Sequence, residues 1–271
     1  MADSIRKCLD ENDTIAELKL LLSASKDKVY VVVEGDDDVR MFKNLLGCKT
    51  YLVQSYQSKI GVEKMIHINF KKQPRVIGIR DKDYQNKPID KRIFYCDFCC
   101  SEMMIVSNDD CFTRIYNAFC DTSIDAMKLR FICLQYLEYL SKLRCLNEKK
   151  KWNIKFDGIS PNSLYDSDMS KMNLNIIEYL NKRNPNNIIS KKRQNDVESL
   201  FQKNLNEKEL LNITNGHDFI NLFHCLGKVK NSINSVGNSF RASYGKIEFK
   251  QTKLYNNLLK FQHSNFLSIV D

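Results

Sequence analysis

The sequence contains no run of apolar residues close to the roughly 20 that a membrane-spanning helix requires. Its N-terminal stretch, MADSIRKCLDENDT, also lacks the apolar segment of a secretory signal peptide. These two absences predict a cytoplasmic protein. Proline is scarce, with 4 residues in 271, and no internal repeat is visible, so neither feature marks a boundary between domains. Because 43% of the residues are hydrophobic, the chain is expected to bury a sizeable core.

The cysteines lack the spacing of a tetrahedral metal site. Cys96, Cys99 and Cys100 come closest to it, but no second Cys-x-x-Cys pair and no pair of histidines completes a ligand set. Cysteines in a chain of this size without an export signal are expected to be reduced thiols rather than a disulfide scaffold. We therefore predict that these three residues are small, buried hydrophobic side chains.

Acidic residues are outnumbered, since 33 Asp and Glu stand against 42 Lys and Arg and give a formal net charge of +9. A basic chain of this kind has a polyanion such as nucleic acid as a plausible partner. An AT-rich coding sequence also enriches Lys and Asn, and it explains a diffuse positive charge equally well. A local cluster of acids is therefore more informative than the total charge.

Strand and helix patterns alternate in the N-terminal part of the chain. Apolar, β-branched runs predict strands at 28–33, at 50–54, within 74–83 and at 92–96. Helical spacing predicts helices at 14–22, from Asp36 onward, near 60–70 and from Glu102. The alternation predicts an α/β fold with a mainly parallel sheet flanked by helices, in a domain of residues 1–108 with its core at 28–106.

A mostly helical region is predicted for residues 109–271. It contains longer helical patterns at 124–147, 196–212 and 217–228, interrupted by basic and Asn-rich loops. This region is expected to bind the substrate or a partner.

Two of the predicted strands end abruptly on acidic residues. Glu34 follows the run VYVVV, and Asp81 and Asp83 follow VIGIR. Ligands of open parallel sheets bind outside the carboxyl ends of the strands, so three carboxylates from separate segments are expected to converge there. In an extended chain Asp81 and Asp83 point the same way, with Lys82 opposite.

Carboxylates brought together need a neutralising charge, and hard oxygen ligands suit Mg2+ or Mn2+. We predict such a site at Glu34, Asp81 and Asp83, where the ion would bridge phosphate oxygens and activate water. Asp36 and Asp37 are expected to be helix-cap or turn residues. Acids are common in loops, so the combined order of strands, helices and acids carries the prediction, rather than Asp-Lys-Asp alone.

The stretches VVVEGDDDVR and VIGIRDKD, in this order, resemble the TOPRIM domain of topoisomerases, primases and overcoming-lysogenization-defect family nucleases. The resemblance covers residues 28–106. The stretches IGIRDKDY, IFYCDF and NGHDFINLF look most like the small TOPRIM effectors of PARIS-type phage-defence systems, found beside ABC-type ATPases. The resemblance implies a Mg2+-dependent endonuclease, a toxin effector of antiviral defence, with RNA and in particular tRNA favoured as its substrate.

Carried over residue by residue, the resemblance implies that Glu34 is a general acid or base or a metal ligand. It implies that Asp81 and Asp83 are the metal-binding pair and that Asp38 is a further acid of the motif. Glu102 falls where these effectors carry another acidic residue, although its neighbours depart from the usual pattern. The resemblance also implies an ABC-type ATPase partner that restrains the enzyme. We expect a homodimer after release.

Several residues near these motifs have two interpretations. Gly35 is expected to permit a sharp turn beside charged ligands. Arg80 and Lys82 are either phosphate contacts, or solvated neighbours or ion-pair partners of the acids. His217 is either a substrate contact or proton-transfer group, or a polar residue at a helix start.

Two basic loops, 149–155 and 181–193, are candidates for following a nucleic-acid backbone through charge and stacking. The residues concerned are Lys149, Lys150, Lys151, Trp152, Lys191, Lys192 and Arg193. The alternative is a solvent-facing run of charge without function.

Two other functions stay open. The same metal site would serve nucleotidyl transfer, as in primases. A non-catalytic regulatory subunit would keep the fold and bind an ATPase or nucleic acid. The presence of all three acids argues against a decayed site.

Overall fold

The computed structural model of the chain describes residues 10–200 and 205–271. The chain divides into two compact units. The sheet unit comprises the described residues up to Asp97 together with Tyr244–Asp271, and the helical unit comprises Phe98–Ser243. The helical unit is therefore an insertion in the chain of the sheet unit, whereas the sequence predicted two consecutive domains.

One sheet of four parallel strands forms the centre of the sheet unit, in the order β2-β1-β3-β4. The strands are β1 (Val29–Val33), β2 (Thr50–Gln54), β3 (Val76–Arg80) and β4 (Ile93–Tyr95). β1 and β3 are the inner strands and every residue in them is buried, which explains their continuously apolar sequences. The predicted α/β fold with a parallel sheet is confirmed.

Three helices alternate with the strands. They are α1 (Glu11–Ala24), α2 (Asp36–Phe42) and α3 (Ser58–Lys64), which continues as a π-helix at Met65–Asn69. α1 begins earlier than predicted, because the Asp10 carboxylate accepts hydrogen bonds from Asn12 and Asp13 N–H at 2.7 and 3.0 Å. The helices contribute Leu18 and Val62 to a core that also contains Val32.

The helical unit contains α4 (Ser101–Val106), α5 (Asp109–Phe119), α6 (Ala126–Tyr136), α7 (Glu138–Lys150), α8 (Pro161–Leu164), α9 (Met169–Arg183), α10 (Lys191–Leu200), α11 (Glu207–Leu211), α12 (Gly216–Leu226) and α13 (Ile233–Ser243). Phe112 lies 5.5 to 6.2 Å from the rings of Phe219, Phe223 and Phe240 at its centre. The predicted helix 124–147 is interrupted at Leu137. Part of the predicted helix 196–212, residues 201–204, lies outside the described residues.

The chain then returns to the sheet unit through α14 (Lys246–Lys250) and α15 (Lys253–Asn265). Phe261 of α15 packs against Phe94 of β4 with ring centroids 5.4 Å apart. The Asp97 carboxylate accepts hydrogen bonds from Lys253 and Leu254 N–H, each at 2.9 Å, and so caps α15. The C-terminal segment thus completes the sheet unit, although the sequence assigned it to the helical region.

The described cysteines are free thiols, and Cys96, Cys99 and Cys100 are buried, as predicted. In the part of the chain that the structure describes, no helix has the length and apolarity needed to cross a membrane.

Gly78 in β3 tests how tightly α3 packs on the sheet. A Cβ at this position would lie 2.8 Å from Val62 Cγ1 and 3.2 Å from Ile66 Cγ1. We expect Gly78→Ala to lower the free energy of unfolding by about 1–3 kcal/mol through overpacking, measured by urea denaturation. Gly237→Ala in α13 is the control, because its nearest neighbouring atom is 3.8 Å away. Unchanged stability of Gly78→Ala would show that the helix shifts away from the strand without cost.

Candidate active site

The ends of β1 and β3 meet at the carboxyl edge of the sheet. The two strands are parallel neighbours, with Val32 opposite Gly78. Glu34 follows β1, and its Oε1 accepts a hydrogen bond of 3.0 Å from the backbone N–H of Asp81, which follows β3. A side chain from one strand end is therefore bound to the backbone of the other. Their roles in catalysis and metal binding stay predictions.

The second carboxylate oxygen of Glu34 is held by the start of α3. The Ser58 hydroxyl donates to Glu34 Oε2 at 2.8 Å. Ser55 supports this turn, since its hydroxyl lies 2.7 Å from the Ser58 carbonyl oxygen and 3.3 Å from that of Glu34. Both oxygens of Glu34 thus have a donor, and the side chain is only 14% exposed.

Burial raises the pKa of Glu34 above its ordinary value, because a desolvated carboxylate loses hydration. The nearby charge of Asp83 raises this pKa further. The Ser58 hydroxyl, the Arg80 guanidinium and the Asp81 N–H oppose the shift without cancelling it. Glu34 consequently holds a proton more readily than an exposed glutamate does.

Asp83 departs from the extended conformation predicted for Asp-Lys-Asp. β3 ends at Arg80, and Asp83 has a left-handed φ of 49°, so the strand-like alternation of side chains stops before it. Its Oδ2 lies 3.0 Å from Lys59 Nζ and 3.4 Å from Arg80 Nη2. Asp83 is therefore paired with two cations. Lys82, between the two aspartates, is half-buried.

Arg80 is the buried cation of the site, with a side chain that is 0% exposed. Its Nη1 donates to Glu63 Oε1, and its Nε donates to the Asp81 carbonyl oxygen at 3.0 Å. The same Nε lies 3.8 Å from Glu34 Oε1, and the guanidinium lies over the Tyr95 ring, 5.2 Å from its centroid. The structure thus shows Arg80 as an ion-pair partner of the acids.

Asp38 and Gly35 have structural roles at the start of α2. The Asp38 Oδ2 accepts a hydrogen bond of 3.0 Å from the Gly35 N–H and so caps the helix. Gly35 has an extended φ of −143°, and an added Cβ would have its nearest neighbour at 3.9 Å. The expectation of a sharp turn that needs glycine is therefore wrong. Asp36 pairs with Arg40 at 2.6 Å on the surface.

Sequence reasoning missed Ser58, Lys59 and Glu63, all from α3. Lys59 and Glu63 are four residues apart and therefore lie on one face of the helix, where they contact Asp83 and Arg80. The spacing of Lys59 and Glu63 could have predicted that they share one face of a helix. It does not predict which part of the structure that face contacts.

The donor chemistry at this edge fits a hard divalent cation. Carboxylate oxygens of Glu34, Asp81 and Asp83 are the ligand type that Mg2+ and Mn2+ prefer. The raised pKa of Glu34 shows that the Arg80 guanidinium does not fully offset the cost of its negative charge. An additional cation would stabilise the ionised form of Glu34.

Glu102 belongs to the helical unit and lies in the first turn of α4. Its Oε1 is 3.8 Å from Arg241 Nη1. The start of α12 packs closely on it, since a Cβ added at Gly216 would lie 2.6 Å from the Glu102 Cβ. Glu102 is thus a buried acid with a nearby guanidinium, a feature that its sequence motif did not reveal.

His217 is exposed at the start of α12, and its carbonyl oxygen accepts a hydrogen bond of 3.1 Å from Asn221 Nδ2. The next residue, Asp218, is buried and accepts two hydrogen bonds from Arg144, at 2.8 and 3.0 Å. Burial raises the pKa of Asp218, while the Arg144 charge opposes the shift. His217 lies in the first turn of α12, and its role as a substrate contact or proton-transfer group stays a prediction.

The basic loops surround Trp152. Lys149 and Lys150 end α7, and Lys191, Lys192 and Arg193 begin α10. Trp152 is buried, with Lys150 and Arg193 over its ring at 5.8 and 5.1 Å from the centroid. Its predicted role in stacking on bases is wrong, because the ring is covered by the protein's own side chains.

No protein-family model matches the chain, and no curated protein matches its sequence. The resemblance to TOPRIM proteins accordingly stays a prediction drawn from the motifs.

Removing the Arg80 guanidinium should destabilise the sheet unit. We expect Arg80→Met to lower the free energy of unfolding by about 3–5 kcal/mol, because Glu63 and Asp83 lose a buried partner. Urea denaturation measures the effect. Arg40→Met is the matched control, since its pair with Asp36 is exposed and is worth at most about 1 kcal/mol. Equal effects of the two variants would contradict a central role for Arg80.

The raised pKa of Glu34 predicts a pH-dependent stability. A raised folded-state pKa stabilises the protein below the unfolded-state pKa, and this contribution disappears as the pH rises through the folded-state pKa. The free energy of unfolding of the wild type, in EDTA, should therefore fall relative to that of Glu34→Gln as the pH rises from about 4 through the folded-state pKa.

Ser58→Ala removes a hydrogen bond that lowers the pKa of Glu34. With rising pH, the free energy of unfolding of Ser58→Ala should therefore fall further, relative to a Glu34→Gln/Ser58→Ala double variant, than that of the wild type falls relative to Glu34→Gln. Parallel pH profiles of the wild type and Glu34→Gln would count against a raised pKa.

Proposed function

We propose that this chain is a metal-dependent nuclease whose catalytic site is the carboxyl edge of the sheet unit. The observation that carries the proposal is the contact between Glu34 and Asp81, with Asp83 joined to the same group through Arg80. Glu34 Oε1 meets the backbone of Asp81, and the carboxylates of Glu34 and Asp83 form a partly buried cluster around Arg80. Such clusters serve phosphodiester hydrolysis, because they combine proton transfer with cation binding.

Glu34 is the residue suited to proton transfer. Its raised pKa lies nearer to neutral pH than that of an ordinary glutamate, which favours exchange of a proton with water or a leaving oxygen. The donors at Asp81 and Ser58 fix the orientation of its carboxyl group. Arg80 is a positioning residue, since it is buried among the acids.

Glu34, Asp81 and Asp83 are the residues that would hold Mg2+ or Mn2+. Asp38 is left out of this set, because its carboxylate caps α2. The ion, when bound, would polarise phosphate oxygens and lower the pKa of a water molecule. Lys59 adds a positive charge at the same edge, where it suits an approaching phosphate.

The wider role follows from the TOPRIM resemblance. We propose a toxic effector of an anti-phage defence system that acts in the cytoplasm and is held inactive by an ABC-type ATPase partner. Its substrate is nucleic acid, with RNA and particularly tRNA favoured, and the released enzyme forms a homodimer. The residues that support this proposal are those of the motifs around Glu34, Asp81 and Asp83.

A non-catalytic binding subunit is the second candidate. The observation that favours it is the pairing of Asp83 with Lys59 and Arg80, which offsets the acidic charge without a metal. In that case the edge would be a structural ion-pair network.

The two candidates are separated by expressing the wild type, Glu34→Gln and Asp36→Asn in bacteria together with a triggered ATPase partner. We expect growth arrest and discrete new RNA ends with the wild type, mapped by sequencing total RNA, and intact RNA with Glu34→Gln. Purified Glu34→Gln should cleave at least about 100-fold more slowly in Mg2+, because the proton-transfer group is lost.

Asp36→Asn is the matched control, since it removes a carboxylate from an exposed surface pair close to Glu34 in sequence. It should retain activity. Cleavage that survives Glu34→Gln would move the active site elsewhere, and nucleic acid left intact by every variant would favour the binding subunit.

A further inference from the structure

Two loops that are far apart in sequence form one surface of the helical unit. The end of α7 packs against α10, where Lys150 Nζ lies 2.8 Å from Asp196 Oδ2. Trp152 is buried between Lys150 and Arg193, whose cationic groups lie over its ring. The tryptophan therefore holds the two basic segments side by side.

A third basic segment, the end of α9, joins the same surface. The buried Asn184 side chain accepts a hydrogen bond of 2.8 Å from the Lys155 N–H and donates one of 3.0 Å to the Lys155 carbonyl oxygen. Lys182 and Arg183 precede Asn184 in the last turn of α9. We call the exposed side of these three segments, residues 149–155, 182–183 and 191–193, the basic face.

The charge of the basic face is mostly uncompensated. Among residues 10–200 and 205–271, no salt bridge reaches five lysines that are all exposed, namely Lys151, Lys155, Lys182, Lys191 and Lys192. Holding like charges together on a folded surface costs free energy, and an anionic partner would remove that cost.

We propose that the basic face binds the phosphate backbone of nucleic acid without reading its bases. The inference rests on the proposed nuclease function and names the surface that holds the substrate strand. Lysine ammonium groups act as point charges toward phosphates. The two groups best suited to bases are engaged within the protein. Trp152 is buried, and Arg193 Nη1 donates to the carbonyl oxygens of Asn187 and Ile188 at 3.0 and 2.9 Å.

An acidic protein surface is the other class of partner with the right charge. Protein interfaces are enriched in Trp, Tyr, Met and Arg at their centres and depleted in Lys. The basic face has the opposite composition, since its exposed residues are mainly lysines, with Ile188 an exposed apolar neighbour. Nucleic acid fits it better.

Charge reversal at α10 tests the proposal. All proteins carry Glu34→Gln to prevent cleavage, and the probe is a short fluorescein-labelled RNA of mixed sequence in a fluorescence anisotropy titration. Lys191→Glu/Lys192→Glu should raise the Kd at least about tenfold. The slope of log K against log salt should fall by about 1.4, because each of two lost phosphate contacts contributes about 0.7 on a single strand. An RNA of different base sequence should bind equally well.

The matched control is Lys71→Glu/Lys72→Glu, which makes the same charge change at two adjacent exposed lysines of the sheet unit. It should change the Kd less than about twofold. Lys182→Glu, on α9, is a second variant of the basic face and should also weaken binding. Circular dichroism checks that each variant folds.

Equal weakening by both double variants would overturn the proposal, because net charge alone would then explain binding. Failure of the parent protein to bind RNA would overturn it as well. The nuclease proposal can fail separately. If the chain with Glu34 intact binds RNA through the basic face but does not cleave it in Mg2+, the binding proposal stands and the nuclease proposal is wrong. If the chain with Glu34 intact cleaves RNA and Lys191→Glu/Lys192→Glu leaves RNA binding unchanged, the nuclease proposal stands and the binding proposal is wrong.

Discussion

Acidic side chains collect at one edge of the sheet because a positive charge is buried among them. Arg80 ends β3, and its guanidinium contacts Glu63 and Asp83 while lying close to Glu34. A buried guanidinium is tolerated only when it is paired, and the carboxylates are tolerated together only when their charges are offset. Strand, helix and acids therefore depend on one another. The geometry of the candidate site cannot change independently of the packing of α3 on the sheet.

The strands and the position of Glu34 and Asp81 after them were predictable, because an apolar run followed by an acid is a local feature of the sequence. The α3 side chains that complete the site were not, since the face that α3 turns toward the sheet edge depends on its packing over Gly78. The conformation of Asp83 was missed for a related reason. Its contacts with Lys59 and Arg80 involve tertiary structure, which the strand pattern does not encode.

The sheet edge and the basic face use charge differently. At the sheet edge, Glu34, Arg80 and Asp83 are partly buried and paired, so their charges fix the geometry of the cluster and the proton affinity of Glu34. In the helical unit, the lysines of the basic face are exposed, and buried groups such as Trp152 and Asn184 hold their segments together. The net charge of +9 thus includes a defined surface as well as a diffuse excess. The sequence identified the two basic loops, but it could not show that they form one surface, because that depends on contacts between α7, α9 and α10.

The insertion of the helical unit sets an order for synthesis on the ribosome. The four strands are translated before Phe98–Ser243, but α15, which covers Phe94 and is capped by Asp97, is translated after them. A nascent chain that has not reached α15 therefore carries all the acids of the sheet edge on an incomplete core. The sheet unit is therefore completed only after the helical unit has been made.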